Sequence, residues 1–446
     1  MELASENIKH KKHSEYKSSG AEWIGEIPKH WKIVRLGNIL IPSSERNRID
    51  LPLLSITREK GVILRNLDDE EENHNYIPDD LSNYKVLKRG QFGMNKMKAW
   101  QGSYGISPQD GIVSPAYFIF DLAKDINPDY FHIAIRSKLY VSYFGSASDG
   151  VRIGQWDLSR ERMKNIPFLI PSLSEQTAIA SFLDRKTAQI DKAISIKERQ
   201  IDLLKERRQI LIHHAVTRGL NPNVKMKDSG VEWIGEIPEH WEVKRLKNIC
   251  EMLVSNVDKH SKPLELPVKL CNYVDVYKND FINSGIEFMY ATATIDEISR
   301  FKIKLNDVII TKDSEDWLDI GVPALVKFEE ESLICGYHLA ILRPVNNIFG
   351  AFLHRSLLSP YIKTQFSVKA NGVTRYGISH GAILGTFIIV PPIEEQKEIS
   401  VFIETGLERI TTAVTCKIKE IEKLKEYKAT LINSAVTGKI KVTQDA

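Results

Sequence analysis

Cysteine is scarce in this chain of 446 residues. Its four copies, Cys250, Cys271, Cys335 and Cys416, are scattered without a CxxC or any metal-like spacing. That excludes a disulfide scaffold and a cysteine-based zinc module, and it fits a reducing cytoplasm. Long apolar runs are missing as well. None approaches the ~20 residues a helix needs to cross a bilayer, and the opening stretch MELASENIKHKKHSEYK is too polar for a signal peptide. A cytoplasmic protein with no membrane partner is the expectation. No GxxxxGK[ST] occurs, which excludes a P-loop motor. Charge of one sign is also modest, with a net value of +3. Phosphate neutralisation supplies most nonspecific affinity for DNA, so a chain this close to neutral would need partners to share the grip.

What the sequence does have is duplication. Gly20–Ile39 reads GAEWIGEIPKHWKIVRLGNI and Gly230–Ile249 reads GVEWIGEIPEHWEVKRLKNI, identical at fourteen of twenty positions. A second pair begins at Glu175 and Glu395 and aligns without gaps through HHAVTRG and NSAVTGK. The stretches between, Leu40–Ile166 and Cys250–Thr386, share almost nothing. Matched frames around unmatched contents suggest one architecture presenting two different reading heads, which suits a two-part target.

Each repeat has three parts. The WIGEIPxHW block, with its proline and glycine, favours turns and short strands. The variable region carries β-branched runs such as Asp110–Phe120 and Asp307–Thr311 cut by Gly, Pro and Asn. A strand ending at proline, within Ile166–Gln176 or Phe387–Gln396, then leads into a long helix. In the first helix Ile190, Ile194, Ile201, Leu204, Leu211 and Ala215 keep a 4–3 spacing; Ile410, Val414, Ile421, Leu424, Leu431 and Ala435 repeat it in the second. Lys197 and Arg208 interrupt the first seam and Lys417 and Lys428 the second, where polar groups fix register at a cost in stability. The spacing predicts an antiparallel pair, with Asp184–Thr217 running roughly 50 Å at 1.5 Å per residue. An ordinary bundle core would explain one such helix alone; duplication with matching interruptions favours a spacer. Its charge is uneven, with nine Lys or Arg against five Asp or Glu from Asp184 to Arg218.

The fold class expected is therefore α+β: two mixed α/β domains separated by long antiparallel coiled-coil helices, as a pseudo-twofold internal duplication. The boundaries expected are 1–170 for the first recognition domain and 171–220 for the first helical spacer. The second recognition domain then spans 221–390 and the second spacer 391–446.

The chain resembles the specificity subunit of type I restriction–modification systems over nearly its whole length. The carriers are both WIGEIPxHW blocks, the Pro171–Gln176 and Pro391–Gln396 entries, and the two helix endings. Asn95–Tyr117, NKMKAWQGSYGISPQDGIVSPAY, looks like a recurrent version of the family's first recognition domain. The resemblance implies a subunit without catalysis or cofactor of its own. Each recognition domain would read one half of an interrupted site in double-stranded DNA. The helices would set the gap and dock two methyltransferase subunits, which carry S-adenosylmethionine. Restriction (motor-nuclease) subunits, with ATP and Mg, would complete the complex.

Rival motifs are weak. Asn127-Pro128-Asp129-Tyr130 approaches the [DN]PP[YF] of adenine methyltransferases, but Asp129 replaces the second proline and no FxGxG precedes it. A turn opening a helix is the better reading. Glu242-Val243-Lys244 fits a nuclease ExK, yet the first copy has Lys32-Ile33-Val34. His213-His214 becomes Asn433-Ser434 in the other copy, which argues against a metal. Candidate DNA contacts follow from donor chemistry and position. In the first head they are Asn95, Lys96, Lys98, Trp100 and Gln101, then Arg152, Gln155, Arg160 and Arg162 beside Trp156. In the second head they are Lys312, Ser314 and Asp316 near Asp313 and Trp317, then Thr374, Arg375 and Tyr376 after Asn371. Trp23, Trp31, Trp233 and Trp241, retained in both frames, are assigned to packing. Two other classes stay open: a self-contained methyltransferase or nuclease with a degenerate motif, and a coiled-coil adaptor that binds only proteins.

Overall fold

The computed structural model of the chain describes residues 11–66, 77–152, 155–345 and 347–442; at Val151, Arg152 and Gln155 it describes the backbone alone. Two compact units emerge. The first joins Met1–Lys197 to Lys419–Ala446, and the second is Glu198–Ile418. One unit is thus inserted in the sequence of the other, and each holds one variable head together with parts of both long helices.

In the first unit the WIGEIPKHW block forms two short pairings. Tyr16–Ser18 runs antiparallel to Glu26–Pro28, and Lys32–Arg35 runs antiparallel to Pro167–Ile170. The head carries a four-stranded sheet in the order Leu40–Ser43, Phe118–Leu122, Phe92–Met94, Tyr104–Ile106. Three helices follow: α1 (Pro128–Ile135), α2 (Lys138–Ser146) and α3 (Arg160–Lys164). Asn127 caps α1, its Oδ1 accepting from the amides of Asp129 and Tyr130, with Pro128 in the first turn where its missing N–H costs nothing. The core here is aromatic: Phe92, Phe131 and Phe168 pack ring to ring with Tyr130 and Tyr140, all essentially buried.

The strand ending at Ile170 gives way to α4, a continuous helix from Leu173 to Arg218. The second unit repeats the frame: Met226–Asp228 pairs with Glu236–Pro238, and Glu242–Arg245 with Phe387–Val390. Its head differs. A five-stranded sheet runs Cys250–Val254, Leu339–Pro344, Val308–Thr311, Pro323–Val326, Phe281–Ile282, beside a three-stranded sheet of Met289–Ala293, Leu266–Cys271 and Leu333–Cys335. Two helices sit within this head, α5 (Tyr273–Tyr277) and α6 (Ile295–Phe301). Then come α7 (Gly350–Leu357), α8 (Pro360–Ser367) and α9 (His380–Leu384), in the places of α1 to α3, followed by α10 (Ile393–Val436). The interior is mainly aliphatic, built on Val308, Ile310, Leu325, Leu342 and Ile389, with the rings of Phe352, Tyr361 and Phe366 among them.

The two long helices pack together antiparallel. Within the first unit Lys428 on α10 bonds Asp191 on α4 at 2.6 Å, and Lys197 reaches Glu420 at 2.5 Å. Partner numbers fall as residue numbers rise. Ile190 and Ile194, with Ile421 and Leu431, are buried there. Within the second unit Gly406 lets the helices close: a Cβ at that place would come 2.6 Å from a methyl of Leu211. Ile201, Leu204 and Val414 there are half-buried and Ile410 is buried, while Leu424, in the first unit, is half-buried. The positions beside these seams are solvent-exposed, so the apolar stripe faces inward in both units.

The frames fasten each head by the same side chains. Glu175 accepts from His30 at 2.8 Å and from the indole of Trp31 at 3.3 Å; Glu395 accepts from His240 at 2.6 Å and Trp241 at 2.9 Å. The next residue, a fully buried glutamine, closes three backbone gaps. Gln176 Oε1 accepts from the Asn127 amide while its Nε2 donates to the carbonyls of Asp125 and Pro171. Gln396 does the same at Phe349, Asn347 and Pro391. Helix ends complete the blocks: Gly219 (φ +75°) lies against Trp241, and Gly438 (φ +69°) against Pro28 and Trp31. Trp31 and Trp241 are wholly buried, as the packing assignment requires. Trp23 and Trp233 are not: 51% and 60% exposed, they only lean on Tyr143 and Phe387.

Candidate nucleic-acid interface

In the first head Asn95–Gln101 is a loop between the strands Phe92–Met94 and Tyr104–Ile106, closed by a single turn of 3-10 helix and Gly102 in the left-handed region (φ +93°). It is braced from beneath. The Arg136 guanidinium, at the end of α1, donates to the carbonyls of Gly102, Tyr104, Arg58 and Glu59. Asn95, expected to meet a base, is 9% exposed. Its side chain is engaged inside the loop, Oδ1 accepting from the Met97 amide and Nδ2 donating to the Tyr117 hydroxyl. It shapes the loop and does not face outward. Trp100 stacks on Trp156 at 5.1 Å and 28°, joining this loop to the hairpin Ser148–Arg152/Gln155–Leu158. Lys96 bonds Asp157 of that hairpin at 3.1 Å. The two expected clusters therefore form one surface.

On that surface Lys98 and Arg160 are exposed, and Gln101 is half-buried. Arg162 is exposed and pairs with Asp149. The side chains of Arg152 and Gln155 lie outside the described residues. The structure adds cations that the linear reading missed. Lys85 donates to the Tyr117 carbonyl at 2.6 Å, and burial, with Arg46 and Arg160 close by, pulls its ammonium below the ordinary lysine range. Among the described residues Arg46, Lys98 and Arg160 have no acidic partner, while Arg160 rests over the Phe118 ring at 5.9 Å. Uncompensated cations around one aromatic-lined loop are the composition that phosphate and base edges select. Arg46 and Lys85 are neighbours only because the chain bridges there, so spacing alone could not join them.

In the second head Asp313–Ser314 pairs with Tyr376–Gly377, which in turn pairs with Asn371–Gly372, so both expected clusters again share a sheet. Ser314 is buried, and its hydroxyl accepts from the Asp316 amide. Asp316 is exposed but caps the turn at Trp317–Asp319. Lys312 and Tyr376 are half-buried, whereas Thr374 and Arg375 stand exposed at a hairpin tip beside Val373, which is 90% exposed. A groove of about 630 Å³ opens nearby, lined by Tyr273, Tyr337, His338, Asn272, Lys259 and His260. Asp313 holds His338 by a short hydrogen bond.

Chemistry of its own fits neither rival motif. Tyr130 of the Asn-Pro-Asp-Tyr turn is fully buried and donates to the Leu169 carbonyl at 3.0 Å, so it cannot stack on a target base. Glu242 is tied to Lys244 at 2.7 Å on an edge of the frame. His213 turns inward near Tyr361 while its neighbour His214 is exposed. No helix among the described residues is long and apolar enough to cross a membrane.

Comparison with known proteins agrees with this geometry. The family described as type I restriction modification DNA specificity domain matches residues 238–423. The MjaVIII specificity subunit of a type I restriction enzyme from Methanocaldococcus jannaschii is 23% identical, over 93% of this chain and 94% of that one. The EcoKI specificity subunit of Escherichia coli is 27% identical over 59% of this chain and 55% of its own length. Among solved structures, a chain from a study of assembly and conformational transition of the type I restriction–modification system superposes with a TM-score of 0.69 at 15% identity, covering 92% of this chain and 98% of that one. The HsdS subunit of Thermoanaerobacter tengcongensis gives 0.56 at 16%, covering 93% and 98%. At such identities the superpositions establish the fold.

Proposed function

From the premise that this chain belongs to the specificity subunits of type I restriction–modification systems, we propose that it reads an interrupted, two-part DNA site, one half with each head, and performs no chemistry itself. The observation that carries this reading is the repeated fastening of unlike heads. Glu175 with Gln176, and Glu395 with Gln396, make the same bonds to the same frame positions, yet the sheets they hold differ in strand number and order. Duplicated fastening with divergent heads serves a target whose halves are related in place and unrelated in sequence, like a half-site dimer fused into one chain.

In this reading the first head uses the surface of Lys96, Lys98, Gln101 and Arg160 with Lys85 and Arg46. The second uses the hairpin of Thr374 and Arg375 with Lys312. Two methyltransferase subunits dock on the duplicated frame, where the exposed Trp23 and Trp233 offer one apolar anchor per copy. They supply S-adenosylmethionine and much of the backbone grip that a net charge of +3 lacks. Restriction subunits join from outside with ATP and Mg. The regions 1–170 and 221–390 act as recognition domains, and 171–220 with 391–446 as spacers.

The test is a genome-wide map of methylated adenine in a host expressing this chain with a type I methyltransferase subunit, against a deletion control. An interrupted motif with two unlike halves is expected, and replacing Leu40–Ile166 by the same region of a relative should change one half only. Change in both halves, or in neither, sinks the two-headed reading. A soluble complex with no chain-dependent methylation leaves the protein-only adaptor.

A further inference from the structure

One element breaks the match between the two frames. The pair His30–Glu175 has its counterpart in His240–Glu395, so that pair belongs to the fastening itself. The first copy alone adds a third donor. His13 stands where the second copy has Asn223, each seventeen residues before the histidine of its block. One ligand atom from each of His13, His30 and Glu175 lies within 4.8 Å of the others.

We propose that His13, His30 and Glu175 form a divalent-metal site of the zinc type, which clasps the segment around His13 to the first frame. Two imidazoles and a carboxylate are a zinc donor set, with a fourth position left for water. The surroundings are those of a ligand histidine. The backbone of Ile440 lies beside the His13 ring. Glu175 is oriented by the Ser172 hydroxyl at 2.8 Å and amide at 3.1 Å on its Oε2, leaving Oε1 toward the histidines. Zinc at about 2.0 Å from each donor keeps them roughly 3.3 Å apart. The 2.8 Å contact between His30 and Glu175 then opens by about half an ångström. Ile440 and Lys441, whose amide donates to the Lys11 carbonyl at 2.7 Å, bring the tail of α10 into the same clasp.

The experiment uses the full chain with any oligohistidine tag removed and metal stripped by chelator, titrated with Co2+ as a spectroscopic probe and with Zn2+ by calorimetry. Wild type is expected to take up one equivalent, with visible bands of a low-coordinate cobalt site and an apparent Tm that rises with metal concentration. His13→Asn, which copies the second frame, should weaken binding by about 100-fold or more while folding normally, by analogy with the 10–100-fold cost of losing even an outer-shell partner. Asn223→His should bind a second equivalent. Wild type that binds no metal, or His13→Asn that binds as wild type does, overturns the proposal and leaves the ion pair alone.

Discussion

The two heads are held by one set of side chains and filled by different chemistry. In the first, rings of Phe92, Phe131, Phe168, Tyr130 and Tyr140 dominate the interior; in the second, isoleucine, leucine and valine predominate around Phe352, Tyr361 and Phe366. Near the long helices the contrast is sharper. Six residues after the amide that bonds the frame glutamine, the first head has Ile133 and the second has Arg355. Arg355 is buried and bridges Glu404 on α10 at 2.7 Å and Asp280 of the head at 3.3 Å, and Arg208 on α4 meets the same Asp280 at 3.0 Å. In the first unit the corresponding seam cation, Lys428, bonds across the helix pair to Asp191 instead. The frame thus specifies where a head attaches and leaves open whether grease or charge secures it. A recogniser whose heads must vary needs that tolerance.

The largest way to break the comparison is Arg355→Ile, which gives the second head the residue type of the first. It strands Glu404 beside an apolar group and leaves Asp280 with Arg208 alone. Breaking a buried pair costs 3–5 kcal/mol, and both acids keep some solvent, so the expected loss is about 3 kcal/mol. Faster hydrogen exchange in α7, with the first unit unchanged, is the readout.

Acid should affect both heads in the same direction. His132 and His354 each sit five residues after the same frame-bonded amide, His132 half-buried and His354 fully buried. Burial, reinforced by Arg136, brings His132 down to about 4; burial, reinforced by Arg355, brings His354 down to about 3. Each folded value lies below that of an unfolded histidine, near 6.5, so the unfolded chain takes up protons first as pH falls. The stabilisation is whole above about 6.5 and is lost from there down toward 4. Between pH 7.5 and 5 the first unit should lose about 2 kcal/mol from His132, measured by urea unfolding. His132→Gln, whose carbonyl can still accept from the Ile106 amide bonded to Nδ1, should flatten that slope.

The smallest effect sharpens the likeness. Glu15 pairs with Lys29 at 2.7 Å, and at the same two places of the other copy Lys225 pairs with Glu239 at 2.7 Å with the signs exchanged. Lys29→Glu should cost less than about 1 kcal/mol, because the pair is exposed. Adding Glu15→Lys should restore it. A double variant as weak as the single one would show that the frame depends on which partner carries which charge.

Much of this architecture was legible in the sequence. Repetition of WIGEIPxHW and the spacing from Ile190 to Leu211 point to two frames and an antiparallel helix pair, because periodicity and identity are properties of the line itself. Capping was legible too, Asn127-Pro128 being a helix start by composition. The surface of the heads was not. Asn95 and Ser314 have the right groups for reading bases, but both are turned into their own loops. Lys85 and Arg46 become a cationic patch only through a bridge that joins distant segments. Trp23 and Trp31 sit in one repeated block and meet opposite fates, one half exposed and one buried, which residue type alone cannot decide. His13 and Glu175 are likewise brought together by topology rather than spacing.

The insertion of one unit within the other has a consequence in time. The wall that Gly438 builds against Pro28 and Trp31, and the bond from Lys441 to Lys11, join residues more than four hundred positions apart. During synthesis the first head leaves the ribosome early, yet its frame stays open until the last turns of α10 emerge. The second unit, contiguous in sequence, can close before that. The half made first is therefore the half finished last, with the face of Trp31 that Gly438 covers left open until then.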